Sequence, residues 1–62
     1  MIAGIVGLGL IGGSFAKAYA ESGETVWGFD ADRTTLEFAK LSGVVSKELT
    51  EENICECDIV LV

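Results

Sequence analysis

The strongest constraint in this sequence of 62 residues is Gly7-Leu8-Gly9-Leu10-Ile11-Gly12, a glycine-rich turn set between two apolar segments of different period. Before it, Ile2 to Val6 is a short continuous apolar run ended by glycine. Such a run predicts a strand buried on both faces, the kind found in parallel sheets, with Gly4 a weak point inside it. After the turn, Ile11, Phe15, Ala18 and Tyr19 recur at helical spacing up to about Ser22. They predict a helix of about three turns with those residues on its apolar face and Gly23 as its C-terminal cap.

The same alternation continues along the chain. Thr25 to Phe29 is rich in β-branched and aromatic residues and ends at Asp30, which predicts a second strand with an acid at its C-terminal tip. Trp27 and Phe29 are expected to pack in the sheet core. Asp32 reads as the N-cap of a second helix running to Leu41, with Leu36 and Ala39 facing inward and Gly43 as the stop. Val44-Val45 is expected to be a short third strand. Residues 46–58 read as a loop with a short helical turn around Glu51 to Ile54, and the apolar run Ile59 to Val62 as another buried strand.

Strands alternating with helices in this order imply a parallel sheet with right-handed crossovers. The expected fold class is α/β, a Rossmann-type doubly wound sheet with the first strand central and the spatial order 3-2-1-4. Both predicted helices fall on one face. Because an all-parallel sheet is buried on both sides, the other face is expected to be covered by further chain or by another subunit.

A chain this short buries only about 60% of the surface it exposes when unfolded, so residues 1–62 are expected to be the N-terminal portion of a larger domain. Half the residues are apolar, 23% are charged and proline is absent, a globular composition. Ten acidic residues against four basic ones give a net charge of −6, which argues against nucleic acid and against an anionic membrane surface. A helix N-terminus can still bind an anion, because its free N–H groups supply local positive potential whatever the net charge. Cys55 and Cys57 stand one residue apart in a chain without histidine, which offers neither a four-ligand zinc site nor a Cys-x-x-Cys redox pair. The expectation is reduced thiols in a cytoplasmic protein with no membrane span.

A Gly-x-Gly-x-x-Gly motif that follows a strand, opens a helix and precedes an acid about 20 residues on is the fingerprint of dinucleotide binding. Gly7 would permit the tight turn, Gly9 would let the backbone approach a pyrophosphate, and Gly12 would let the helix pack close to the sheet, so that a side chain at any of them would collide. Leu10 and Ile11 would donate backbone N–H groups to the pyrophosphate at the start of the helix. The alternative is a tight turn without a ligand. Asp30 would accept the adenosine ribose hydroxyls and repel a 2′-phosphate, which favours NAD over NADP; the alternative for it is a helix-capping or solvated loop acid. Arg33 would meet a 2′-phosphate, stack on adenine, or simply be exposed in the first helical turn. The Ser14 hydroxyl is expected to face the cofactor or the remainder of the enzyme, the alternative being a small packing residue, and Lys17 is expected on a solvated face. The acids from Glu48 to Glu56 follow no metal-ligand spacing.

The run from Ile5 through Gly12-Gly13-Ser14-Phe15-Ala16, together with Trp27-Gly28-Phe29-Asp30, Thr35 to Leu41, Gly43-Val44-Val45 and Cys57 to Val62, resembles the prephenate dehydrogenase family, which includes the arogenate dehydrogenases. That resemblance covers nearly the whole chain. It implies an NAD-dependent oxidative decarboxylation of prephenate to 4-hydroxyphenylpyruvate in tyrosine biosynthesis, with prephenate or arogenate as the small-molecule partner and a homodimer as the full-length protein. The family's catalytic histidine and substrate-binding arginines are expected beyond Val62, so no catalytic residue falls within this chain. Gly4 departs from the family, which usually has a larger aliphatic residue there. The alternatives are a non-catalytic module that senses NAD and a related dehydrogenase acting on a β-hydroxyacid.

Overall fold

The computed structural model describes residues 1–62, with Leu10 and Ile11 described only as members of a helix. In chain order the elements are β1 (Ile2–Val6), α1 (Leu10–Glu21), β2 (Thr25–Phe29), α2 (Arg33–Leu41), β3 (Lys47–Glu48), a 3-10 turn (Ile54–Glu56) and β4 (Ile59–Leu61). The strands form one parallel sheet in the order β3-β2-β1-β4, as the alternating pattern predicts. β1 is central. It pairs with β2 from Ile2↔Thr25 to Val6↔Phe29 and with β4 from Ala3↔Ile59 to Ile5↔Leu61.

Both helices lie on one face, over a core of Ile5, Leu8, Ala16, Val26, Leu36 and Val45. α2 begins and ends where predicted: the Asp32 side chain accepts from the N–H groups of Thr34 and Thr35, and Gly43 follows the helix with φ +83. Leu36 is fully buried, with Ala39 packed beside it. α1 closes on Gly23, at φ +85, whose N–H donates to the Ala20 carbonyl while Glu24 N–H donates to that of Tyr19. These paired bonds satisfy carbonyls that the helix end would otherwise leave orphaned.

The inner face of α1 differs from the expected one. Ala16 is fully buried and Tyr19 and Ala20 are packed against the core, whereas Phe15 is 50% exposed and Ala18 is exposed as well. Ile11, the remaining member of the expected face, lies outside the described residues. The physical reason is close approach: Gly12, Ala16 and Ala20 form a helical stripe of small residues that lets α1 lie near the sheet, and this rotates the larger Phe15 outward.

The third strand is Lys47–Glu48, not Val44-Val45. Val45 instead drops its side chain into the core, with its N–H donating to the Ala39 carbonyl, and the ladder to β2 starts only after Ser46 N–H bonds to the Val26 carbonyl. A sheet edge tolerates charged residues, which hid this strand from a hydrophobic pattern. The helical turn also sits later than expected, at Ile54–Glu56. Ahead of it, Thr50 and Asn53 cap each other: Thr50 N–H donates to Asn53 Oδ1 and Asn53 N–H to Thr50 Oγ1.

The face away from the helices is partly covered from within. The connection from β3 to β4 brings Leu49 and Cys57 over Gly4, where an added Cβ would stand 2.9 Å from Cys57 Sγ and 3.3 Å from both Leu49 methyls. This explains a glycine in the central strand: its missing side chain is the space these two residues fill. Trp27, beside Gly4 in the register, is buried on the same face with the Lys47 ammonium 4.3 Å from its ring centroid. Phe29 does not join the core, being 38% exposed at the strand end. Asp58 ties β4 to β1, accepting from Ile2 N–H at 2.6 Å and donating its own N–H to the Ile2 carbonyl.

Candidate functional site

The site begins where β1 ends. Gly7 has φ +92, a backbone state that strains any other L-residue, and its N–H still bonds to the Phe29 carbonyl at 2.8 Å, so the chain reverses direction directly from the sheet. Leu8 then turns inward and is buried in the core. Gly28 makes room for it, since a Cβ there would meet Leu8 Cδ1 and Val45 Cγ2 at 3.1 Å. Gly9 is the N-cap of α1, and the first helical bond runs from Gly13 N–H to its carbonyl at 2.7 Å. Three residues carry the chain from strand to helix.

The three fingerprint glycines have different reasons. A Cβ on Gly12 would overlap the Gly7 carbonyl oxygen and lie 2.9 Å from the carbonyl carbon, which is the expected close packing of helix on turn. At Gly7 and Gly9, however, a Cβ meets nothing within 4 Å. Within the protein, then, a side chain collides only at Gly12. Gly7 is required by its dihedral angle, and Gly9 faces open space.

The two helix starts contrast sharply. At α2 the Asp32 carboxylate closes the terminus, accepting at 2.9 and 3.4 Å. At α1 the N-cap is Gly9, which makes no side-chain cap bond, and no acid lies in the first turn. The first N–H groups of a helix have no partner within it, and the positive end of the α1 dipole lies at this glycine cap. Leu10 and Ile11, the expected pyrophosphate donors, lie outside the described residues. Beside this terminus is a cleft of about 620 Å³ lined by Val6, Gly7, Gly9, Gly12, Phe15 and Leu61. It lies between the C-terminal ends of β1 and β4, where the strand order reverses, the place in which open α/β sheets receive ligands.

Asp30 is held against this turn. Its Oδ2 accepts the Leu8 N–H at 2.7 Å and its Oδ1 the Asp32 N–H at 2.8 Å. These donors, Asp32 first and Leu8 second, hold its carboxyl below the usual aspartate range, outweighing a small opposing effect of burial. A carboxylate has about four acceptor positions, so two backbone bonds leave it able to accept more. Asp30 is thus a loop acid that braces the glycine turn, and it keeps acceptor capacity at the mouth of the site. Leu8 is the residue that sequence reasoning missed: it anchors the turn through both its side chain and its N–H. The signal available was an apolar residue between two glycines, with Gly28 opposite.

Arg33 is 62% exposed and paired with Glu48, Nη1 to Oε2 at 3.0 Å. The structure brings together Gly7, Gly9, Gly12 and Asp30, and turns the Arg33 guanidinium toward the end of β3. Ser14 and Lys17 lie on exposed positions of α1.

A family model described as the NAD binding domain of 6-phosphogluconate dehydrogenase matches residues 2–62. The chain belongs to this family. No solved structure matches the chain. The resemblance noted in the sequence is met at the level of a dehydrogenase NAD-binding domain, and a Rossmann-type fold and NAD follow as its architecture and cofactor. The NAD-binding domain fits that cofactor at two points. Gly9 leaves open space beside an uncapped helix start, as a pyrophosphate requires, and Asp30 offers acceptors at the tip of β2. No helix in the described residues is long and apolar enough to cross a membrane.

Proposed function

We propose that residues 1–62 are the N-terminal part of the cofactor domain of an NAD-dependent prephenate dehydrogenase, the part that holds the adenosine diphosphate end of NAD. The observation that carries this reading is the Asp30 carboxylate held 2.7 Å from the Leu8 N–H, which sets an acid beside a glycine turn whose helix start is uncapped. In this reading the pyrophosphate passes Gly7 and Gly9 and accepts N–H groups from Leu10 and Ile11. Asp30 accepts the ribose hydroxyls and disfavours a 2′-phosphate, which places NAD ahead of NADP.

Bound NAD would accept hydride from the substrate; this chain's residues only bind and orient it. In this reading the cofactor runs along the cleft beside Phe15 and Leu61 toward β4, and the catalytic groups come from elsewhere in the enzyme. The prephenate or arogenate assignment is supported by Gly12-Gly13-Ser14 and by the length of the resemblance. The exposed side chains of Phe15, Phe38 and Leu41 support burial against the rest of the enzyme, which we take to be a homodimer. The free thiols Cys55 and Cys57 support a reducing, cytoplasmic setting.

A second reading is favoured by the family match itself. Since 6-phosphogluconate is a β-hydroxyacid, a dehydrogenase for such acids would use the same NAD grip. The full-length protein should be titrated with NAD by calorimetry and then assayed for NADH formation with prephenate, arogenate, 6-phosphogluconate and short β-hydroxyacids. Turnover of prephenate or arogenate alone is expected. Turnover of only a β-hydroxyacid would replace the first reading by the second, and NAD binding without any turnover would make the protein a sensing module.

A further inference from the structure

We propose that Glu48 is a determinant of cofactor choice, acting by holding Arg33 away from the position a 2′-phosphate would occupy. This inference rests on the reading that Asp30 receives the adenosine ribose. Arg33 is the first residue of α2 and follows Asp30 by one short turn, so its guanidinium starts from the rim of the ribose site. An arginine near this acid is the group that accommodates a 2′-phosphate in NADP-dependent proteins of this fold. In this chain the guanidinium is engaged by Glu48 Oε2 at 3.0 Å.

Glu48 is well placed to keep it. It is the last residue of β3, its partner in the register is Gly28, and its carbonyl accepts from Asn53 Nδ2 at 3.1 Å, so the backbone that carries the carboxylate is fixed on both sides. Arg33 is likewise fixed at its backbone, in the first turn of α2, but its side chain is the more exposed partner, at 62% against 31%. The pair therefore sets a half-buried acid at the strand end against a more exposed cation.

Charge strengthens the effect. Asp30 and Asp32 precede Arg33 in sequence, Glu48 pairs with it, and Glu51 lines the same pocket as Glu48 and Phe29. A 2′-phosphate, carrying close to two negative charges, would meet these acids with the Arg33 guanidinium already paired. Asp30 repels the phosphate directly, while Glu48 withholds the cation that would compensate.

The test is calorimetric titration of the full-length protein with NAD and with NADP, in the wild type, Glu48→Gln, Arg33→Ala/Glu48→Gln and Asp30→Ser. Glutamine keeps the size and the backbone bonds of Glu48 and removes the charge. Glu48→Gln should tighten NADP roughly tenfold and leave NAD unchanged, and adding Arg33→Ala should abolish the gain. An unchanged NADP affinity in Glu48→Gln would overturn the proposal while leaving the NAD site standing. A gain that survives in the double variant would also overturn it, because charge removal alone would then suffice. NAD affinity unmoved by Asp30→Ser would show that the ribose does not lie at Asp30, and both readings would fail together.

Discussion

Gly9→Ala separates the space that the fold needs from the space that a ligand needs. Gly9 has φ −70 and ψ −158, an extended geometry open to alanine, and a Cβ built there meets nothing within 4 Å. The substitution therefore removes freedom from the unfolded chain without adding a clash, and should stabilise the fold by about 0.4–1 kcal/mol. The added methyl stands on the wall of the cleft at the uncapped start of α1, where the pyrophosphate would approach. Pushing that group away by about 1 Å should weaken NAD roughly tenfold to a hundredfold. Gly12→Ala is the contrasting case. Its Cβ would overlap the Gly7 carbonyl oxygen, and because both groups are backbone no side-chain rotation relieves the contact. Its cost should lie at or above the upper end of the range for overpacking, about 3 kcal/mol. A chain of this size has a total stability of only about 3–9 kcal/mol. Urea unfolding and calorimetric NAD titration of the full-length variants read both effects. A Gly9→Ala protein that binds NAD like the wild type would refute the argument that the open space at Gly9 belongs to the cofactor. One that unfolds more easily would show that the fold needed the space.

Leu8→Ala removes the anchor of the turn and should cost about 2–5 kcal/mol in urea unfolding, with NAD affinity falling in the same variant. Gly4→Ala pushes a methyl against Cys57 Sγ and the Leu49 methyls and should cost about 1–3 kcal/mol; pairing it with Cys57→Ala should recover part of that loss in a double-mutant cycle. The third concerns acid. The folded pKa of Asp30 is depressed, so its contribution is fully present above the unfolded aspartate pKa and is lost as pH falls through the folded value. Stability measured against pH for the wild type and Asp30→Asn should therefore differ at neutral pH and converge in acid below the usual carboxylate range.

Where a residue's environment is set by its near neighbours, the sequence was legible. The bounds of β1 and β2, the Asp32 cap and the glycine stops at Gly23 and Gly43 all follow from local rules, and the structure reproduces them. The strand order follows too, because the crossover rule leaves few topologies for alternating strands and helices. What escaped depends on contacts distant in sequence. Phe15 and Ala16 are both apolar, and only the closeness of α1 to the sheet decides which is buried. β3 consists of Lys47 and Glu48, and its pairing with Trp27 and Gly28 is a fact of the sheet edge. At the site, the glycines and Asp30 were visible as a motif, whereas the bracing of the turn by Asp30 and the Arg33–Glu48 pair join residues 22 and 15 positions apart.

Trp27 gives this chain an optical readout of its own. It is the single tryptophan in the sequence, buried in the face away from the helices, with the Lys47 ammonium over its ring. The electrostatic field of that cation acts on the indole only while β3 stays paired with β2. Emission from Trp27 therefore reports fraying at the sheet edge separately from the helical circular dichroism of α1 and α2. Followed together, the two signals would reveal whether the acidic edge beside Glu48 opens before the cofactor turn or with it.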